Sequence, residues 1–124
     1  MLTYKLTSKV LIKFYKKQNK RNPVEEFLDS LNAKQAKKVT WVLQLVEELD
    51  KIPRQYFKKL VNTDDIWEIR VRIGYDAIRL MGFFDEGTFI ILTNGFMKKS
   101  QKTPKVEIDL AEKRKKDFIK RKRK

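Results

Sequence analysis

Two residue types on which much protein chemistry depends are missing, because the sequence contains neither cysteine nor histidine. The absence of cysteine excludes disulfides, thiolate metal sites and thiol nucleophiles. Without histidine as well, we expect no transition-metal site. Any acid–base chemistry must therefore use lysine, arginine, glutamate, aspartate or tyrosine side chains.

Long apolar runs are also missing. Apolar residues make up 41% of the chain but are interleaved with charge, and no segment approaches the roughly 18 consecutive apolar residues that a membrane span needs. The first five residues lack the apolar stretch and cleavage site of a secretory signal. We therefore expect a soluble, cytoplasmic protein without a membrane partner, folded as one domain over residues 1–124.

Positive charge is the strongest global feature, with 30 Lys and Arg against 16 Asp and Glu and a formal net charge of +14. Such an excess destabilises a compact chain by self-repulsion and suits a polyanionic partner. An anionic membrane surface fits less well, because no helical pattern combines a basic face with exposed aromatic anchors. The composition thus predicts contact with nucleic acid or the ribosome.

The first half of the chain predicts a strand and two helices. Residues 9–15 are β-branched and aromatic, which is typical of a strand. Asn22 can cap a short helix with Pro23 at its first position and Glu25 completing a capping box, and Asn32 is expected to end it. Residues 33–50 predict a longer helix, antiparallel to the first.

The longer helix has an unusually wide apolar face. Val39, Val42 and Val46 belong to its apolar stripe, and Trp41 and Leu45 widen the apolar arc to about half of the circumference. We interpret Trp41 and Leu45 mainly as core against the first helix. A partner surface is the alternative.

The second half changes to the period of a sheet. Alternation over residues 66–73 predicts a half-buried strand, and short turns separate it from strands over residues 77–84 and 88–96, the last expected to be central. Thr103 can cap a final helix with Pro104 at its first position. Residues 119–124 are expected to form a frayed basic tail. The predicted fold class is α+β, an antiparallel sheet in the order β-α-α-β-β-β-α with the two N-terminal helices packed on one face.

Arginine within predicted strands marks the candidate site. Buried strands rarely hold arginine unless their face meets water or an anion, yet Arg70, Arg72 and Arg79 lie in two of them. Arg70 and Arg79 project from one sheet face if the register places them opposite each other. Residues 97–102 deliver further cations to the same end. The pattern predicts a concave cationic face opposite the two helices.

RNA cleavage is the chemistry that best fits such a cluster. Attack of a 2′-hydroxyl on the adjacent phosphorus develops negative charge that guanidinium groups stabilise, without a metal or other cofactor. A lysine among other cations has a lowered pKa, so Lys98 or Lys99 can transfer protons, and Glu68 is a second candidate base. The candidate catalytic residues are Arg70, Arg79, Lys98, Lys99 and Glu68, and the candidate RNA-binding residues are Arg72, Lys58, Lys59 and Lys102. In the alternative, Glu68 only pairs with the arginines and the lysines only hold phosphates.

Five sequence blocks in order resemble the RelE/ParE superfamily, within it the phage-derived, HigB-like branch. They are Asn22-Pro23-Val24-Glu25-Glu26-Phe27-Leu28, Phe57-Lys58-Lys59-Leu60, Ile66-Trp67-Glu68-Ile69-Arg70-Val71, Ile78-Arg79-Leu80 and Gly95-Phe96-Met97-Lys98-Lys99-Ser100-Gln101-Lys102-Thr103-Pro104. The last block is the most specific.

The resemblance implies a fold and an activity. It implies two helices on one face of an antiparallel sheet, and ribosome-dependent cleavage of messenger RNA that inhibits translation. By position, Arg70 and Arg79 match phosphate-binding strand arginines, and Lys98 and Lys99 match basic residues at the cleft rim. The chain departs from the pattern in having no histidine, which some HigB toxins use, and no base-stacking tyrosine in its last helix.

The resemblance also implies a partner. The expected antitoxin is a HigA-like helix-turn-helix protein, which alone contacts promoter DNA and which should offer acidic and apolar surface to a chain of charge +14. Two alternative functions remain open at the level of sequence. One is non-enzymatic inhibition of DNA gyrase, as by ParE toxins, and the other is simple binding to RNA or the ribosome.

Overall fold

The computed structural model describes residues 10–99 and 101–123 of the chain. Lys9, the predicted start of the first strand, lies outside the described residues. The elements, in chain order, are β1 (Leu11–Phe14), α1 (Pro23–Asp29), α2 (Ala33–Glu48), β2 (Phe57–Lys59), β3 (Trp67–Ile73), β4 (Asp76–Asp85), β5 (Phe89–Lys98) and α3 (Lys105–Lys122). Within the described residues, no helix is both long enough and apolar enough to cross a bilayer.

The predicted α+β class is confirmed, with two differences in the sheet. The five strands lie in the order β1-β5-β4-β3-β2, and β1 pairs with β5 in parallel, so the sheet is mixed rather than wholly antiparallel. The unpredicted strand β2 is only three residues long, too short to show an alternating pattern. β5 is an interior strand, as its apolar run suggested, but β4 occupies the middle of the sheet.

Alternation along the strands divides the apolar side chains between the two faces of the sheet. One face packs against α1 and α2. The buried core between them includes Val24, Val39, Val42 and Val46 from the helices and Ile69, Val71, Ile78, Leu80 and Leu92 from the sheet. The other face packs against α3, where Ala111 meets Ile66, Met81 and Phe96, and Phe118 meets Phe83. Each fully buried aliphatic side chain contributes about 1.5–3 kcal/mol. Both layers therefore stabilise the sheet.

Helix starts follow the capping rules, but one cap lies on a different helix than predicted. The Asn22 side chain accepts a hydrogen bond from the Glu25 backbone N–H at 3.0 Å, as expected of the cap of α1. Asn32 does not end α1, which stops at Asp29. It caps α2 through a full capping box, in which the Asn32 side chain accepts from the Gln35 N–H at 2.8 Å and the Gln35 side chain accepts from the Asn32 N–H at 3.0 Å.

The expectation of a frayed tail from residue 119 differs from the structure, because α3 continues to Lys122. Phe118 packs edge-on against Phe83 with ring centroids 5.5 Å apart. The Lys122 ammonium pairs with Asp85, the last residue of β4, at 2.8 Å and with Glu86, in the turn that follows, at 2.6 Å. These long-range contacts hold the last turn of the helix.

The prediction that Trp41 packs in the core against α1 is wrong, because 46% of its surface is exposed. Its ring meets Tyr56 edge-on at 5.9 Å, and Lys38 lies over it at 5.3 Å. Lys34, Lys37, Lys38, Trp41 and Ile73 line an open hollow of about 370 Å³. An aromatic side chain that is half exposed among lysines is a candidate anchor for a partner.

Candidate active site

Three neighbouring strands deliver the charged side chains of the candidate site to the sheet face that also carries α3. β3 and β4 pair so that Arg70 lies directly opposite Arg79, which confirms that the two arginines project from one face. β4 and β5 pair so that Lys98 lies opposite Ala77, two residues from Arg79. The meander therefore concentrates three cations within a small area.

Glu68 connects the two arginines from beneath. Its carboxylate is buried, and one oxygen, Oε1, lies 3.6 Å from the Nε atoms of both Arg70 and Arg79. Its other oxygen, Oε2, accepts a hydrogen bond from the Thr103 hydroxyl at 3.0 Å. A buried carboxylate is tolerated only with such partners. Glu68 thus offsets the repulsion between two arginines that face each other.

Arg79 is buried but incompletely hydrogen-bonded. Its Nη1 atom donates to the Ile78 carbonyl at 3.2 Å, whereas its Nε atom has no hydrogen-bond partner among the described residues, since 3.6 Å to Glu68 is too long. Burial lowers the pKa of Arg79, and the charges of Arg70 and Arg72 lower it further, although Glu68 opposes them. A phosphate oxygen would balance the buried positive charge of Arg79.

Lys98 has the lowered pKa that the sequence predicts for a lysine among cations. Burial is the largest cause, and the nearby charge of Arg79 is the next. Arg70 and Lys58 lower the pKa further, against the opposing effect of Glu68. A larger share of Lys98 is therefore uncharged near neutral pH than of an ordinary exposed lysine.

An open cleft of about 460 Å³ exposes this cluster to solvent. It is lined by Arg70, Arg72, Tyr75, Ala77, Arg79, Lys98, Lys99 and Gln101. Glu68 is buried and is not part of its lining. The described lining contains five cationic side chains and no acidic one, which makes the cleft an anion-binding site in its electrostatics.

Three other predicted RNA-binding lysines lie outside the cleft. Lys58 is opposite Glu68 in the β2–β3 pairing and close enough to lower the pKa of Lys98. Lys59 alternates to the other sheet face and pairs with Asp65 at 2.8 Å. Lys102 is exposed in the connection to α3. Of the three, Lys58 acts electrostatically on Lys98.

Two features of the site were not predicted from the sequence. Thr103 was expected to cap α3, but Pro104 occupies the cap position without a side-chain hydrogen bond, and the Thr103 hydroxyl binds Glu68 instead. Tyr75, in the β3–β4 turn, is fully exposed at the cleft. An aromatic residue in a turn between two arginine-bearing strands is the signal that could have identified it.

A comparison with known protein families finds a match over most of the chain. The profile of the family described as Phage derived protein Gp49-like (DUF891) matches residues 26–116, a range that contains the whole cleft. The chain therefore belongs to this phage-derived, Gp49-like family. The family is toxin-like, is related to the RelE/HigB type and is associated with the toxins of toxin–antitoxin systems. No curated protein matches the chain.

The buried position of Glu68 generates a prediction about stability. Glu68→Gln removes the negative charge between Arg70 and Arg79 and should lower the free energy of unfolding by about 3–5 kcal/mol, as when one partner of a buried pair is lost. Chemical denaturation followed by circular dichroism measures the change. Asp65→Asn, which breaks the exposed Asp65–Lys59 pair, is the matched control and should leave unfolding unchanged. Equal stability of the two variants would show that Glu68 does not hold the arginines.

Proposed function

We propose that this protein is the toxin of a type II toxin–antitoxin pair, a HigB-like endoribonuclease that cleaves messenger RNA on the ribosome and so inhibits translation. The observation that carries the proposal is the convergence of Arg70, Arg79 and Lys98 on one open cleft. Membership of a toxin-like family supports the same conclusion.

The two arginines bind the scissile phosphate. They face each other across β3 and β4 and share a single carboxylate, so the pair keeps a net positive charge. Guanidinium groups donate paired hydrogen bonds to phosphoryl oxygens. Because these groups are already fixed in place, they stabilise the charge that develops in the transition state with little reorganisation.

Lys98 transfers the proton that starts the reaction. Its neutral amine takes the proton of the 2′-hydroxyl, the 2′-oxygen attacks phosphorus, and the bond from phosphorus to the 5′-oxygen breaks. The leaving oxygen takes a proton from Lys99, which is exposed at the rim. The products are a 2′,3′-cyclic phosphate and a free 5′-hydroxyl. The lowered pKa of Lys98 suits this role.

Glu68 acts as a positioning residue rather than as the base. Its carboxylate is buried beneath the cleft, and both of its oxygens already have partners. Arg72 and Lys58 hold flanking phosphates, and the exposed ring of Tyr75 stacks on a base next to the scissile bond. Lys59 and Lys102, which lie outside the cleft, contact RNA more remotely.

The proposed partner in the cell is a HigA-like helix-turn-helix antitoxin, through which alone the toxin reaches promoter DNA. The hollow around Trp41 offers it an apolar anchor surrounded by lysines, which fits an acidic and apolar surface. This hollow packs on the α1/α2 side of the sheet, whereas the cleft opens on the other side. The antitoxin can therefore bind without filling the cleft.

Removal of the phosphate-binding charge tests the proposed function directly. Arg79→Met, expressed without an antitoxin, should relieve growth arrest and reduce cleavage of ribosome-bound messenger RNA by a factor of about 100 or more, since one preorganised charge is lost. Mapping of messenger RNA ends after induction measures the effect. Thermal unfolding of the purified variant shows that it is folded.

Arg54→Met is the matched control, because Arg54 is exposed and does not line the cleft. It should retain full toxicity and the same cleavage ends. Undiminished toxicity of folded Arg79→Met would refute the proposed function. DNA damage without new messenger RNA ends in the wild type would instead identify an inhibitor of DNA gyrase.

Substitutions at Lys98 separate proton transfer from charge. Lys98→Arg keeps the positive charge but cannot lose its proton, so ribosome binding should persist while cleavage falls by about a hundredfold or more. Because the active form of Lys98 is the neutral one, the wild-type cleavage rate should rise with pH until its lowered pKa is passed, and Lys98→Met should lose this rise. Single-turnover cleavage across a pH series measures both effects. Full activity of Lys98→Arg would exclude Lys98 as the base.

A further inference from the structure

A stripe of cations runs along the outer face of α3. Lys113, Lys116, Lys120 and Arg123 are all exposed, and their spacing of three, four and three residues places them on one side of the helix. We call these four residues the α3 stripe. It extends about 15 Å along the helix axis, at about 1.5 Å per residue.

Other cationic side chains of α3 do form ion pairs with acidic residues. Lys105 pairs with Asp109, Lys115 with Asp64, Arg121 with Asp117 and Lys122 with Asp85. Among residues 10–99 and 101–123, no acidic side chain forms an ion pair with a member of the α3 stripe. Like charges three and four residues apart on a helix destabilise it. The four cations of the stripe therefore repel one another along the helix without an ion-pair partner among the described residues to offset them.

A hollow beside the stripe adds a second cationic feature. It has a volume of about 420 Å³, and its lining includes Lys17, Lys113, Arg114 and Tyr15. Its one carboxylate, Asp117, already accepts hydrogen bonds from Tyr15 at 2.6 Å and from Arg121 at 2.6 Å. The hollow can therefore receive a phosphate group next to the first cation of the stripe.

We propose that the α3 stripe and this hollow form a second RNA-binding surface, which grips the sugar–phosphate backbone of an RNA duplex outside the cleavage site. The surface extends the proposed function and uses none of the residues of the cleft. α3 covers the same sheet face on which the cleft opens. One side of the protein can thus hold the RNA to be cut and a second RNA segment.

An RNA backbone fits the stripe better than a protein or a membrane does. Protein interfaces are built around apolar anchors, and peripheral membrane helices insert aromatic or aliphatic side chains. Among the described residues, the exposed large apolar side chain of α3 is Val106, at the opposite end of the helix. A row of cations without large exposed apolar side chains around it is typical of contact with phosphates.

A salt titration of RNA binding tests the proposal. The full chain carrying Lys98→Met, which prevents cleavage, is titrated onto a fluorescently labelled RNA duplex, and anisotropy is measured over a range of salt concentrations. The triple variant Lys113→Gln, Lys116→Gln, Lys120→Gln should bind at least tenfold more weakly. The slope of log affinity against log salt should fall by about two to three, because about one counterion is released per phosphate contact.

The matched control is Lys20→Gln, Lys51→Gln, Arg54→Gln, which removes three exposed cations outside the stripe and its hollow and lowers the net charge equally. It should change affinity less than twofold. Equal loss in both triple variants, or no loss in the stripe variant, would overturn the proposal. Loss of binding to phosphatidylserine vesicles with unchanged RNA binding would overturn it in favour of a membrane contact.

The test is independent of catalysis. If Arg79→Met stays toxic while the α3 stripe binds RNA as described, the nuclease proposal fails and the RNA-binding surface stands. If cleavage depends on Arg79 but the stripe variant binds the duplex normally, only the surface is refuted.

Discussion

The buried carboxylate of Glu68 is the constraint on which the candidate site depends. Arg70 and Arg79 lie directly opposite each other in the sheet, where like charges repel. One Glu68 oxygen placed 3.6 Å from both Nε atoms makes this arrangement tolerable. The other oxygen binds Thr103, which immediately precedes the cap of α3. One side chain thus joins the three-stranded meander, the paired arginines and the start of the last helix.

The two faces of the sheet differ in what they carry: one holds the larger apolar core and the other the cleft. α1 and α2 cover one face with the larger apolar core. On the other face α3 packs over Met81, Phe96 and Phe83, and the end of the sheet next to the start of α3 remains open as the cleft. The charged side chains are therefore rigidly supported from below and accessible from above, which is what preorganised binding of an anion requires.

Local patterns in the sequence predicted most of the fold and the position of the cluster. Alternation over residues 66–73 placed Glu68 and Arg70 on one face, and the short turn to β4 left little freedom in the register with Arg79. The remaining features depend on contacts between distant residues. β1 meets β5 only after both helices and three strands have intervened. The bonds from Thr103 to Glu68 and from Lys122 to Asp85 join residues far apart in the chain.

The central claim is that one phosphodiester of messenger RNA lies between Arg70, Arg79 and Lys98. The most direct measurement is a structure of the protein on a ribosome carrying a messenger RNA whose 2′-hydroxyl at the scissile nucleotide is methylated, so that it cannot attack. We predict phosphoryl oxygens within hydrogen-bonding distance of both arginines, and the 2′-oxygen next to Lys98. A messenger RNA that passes over another face, with the cleft empty, would contradict the claim.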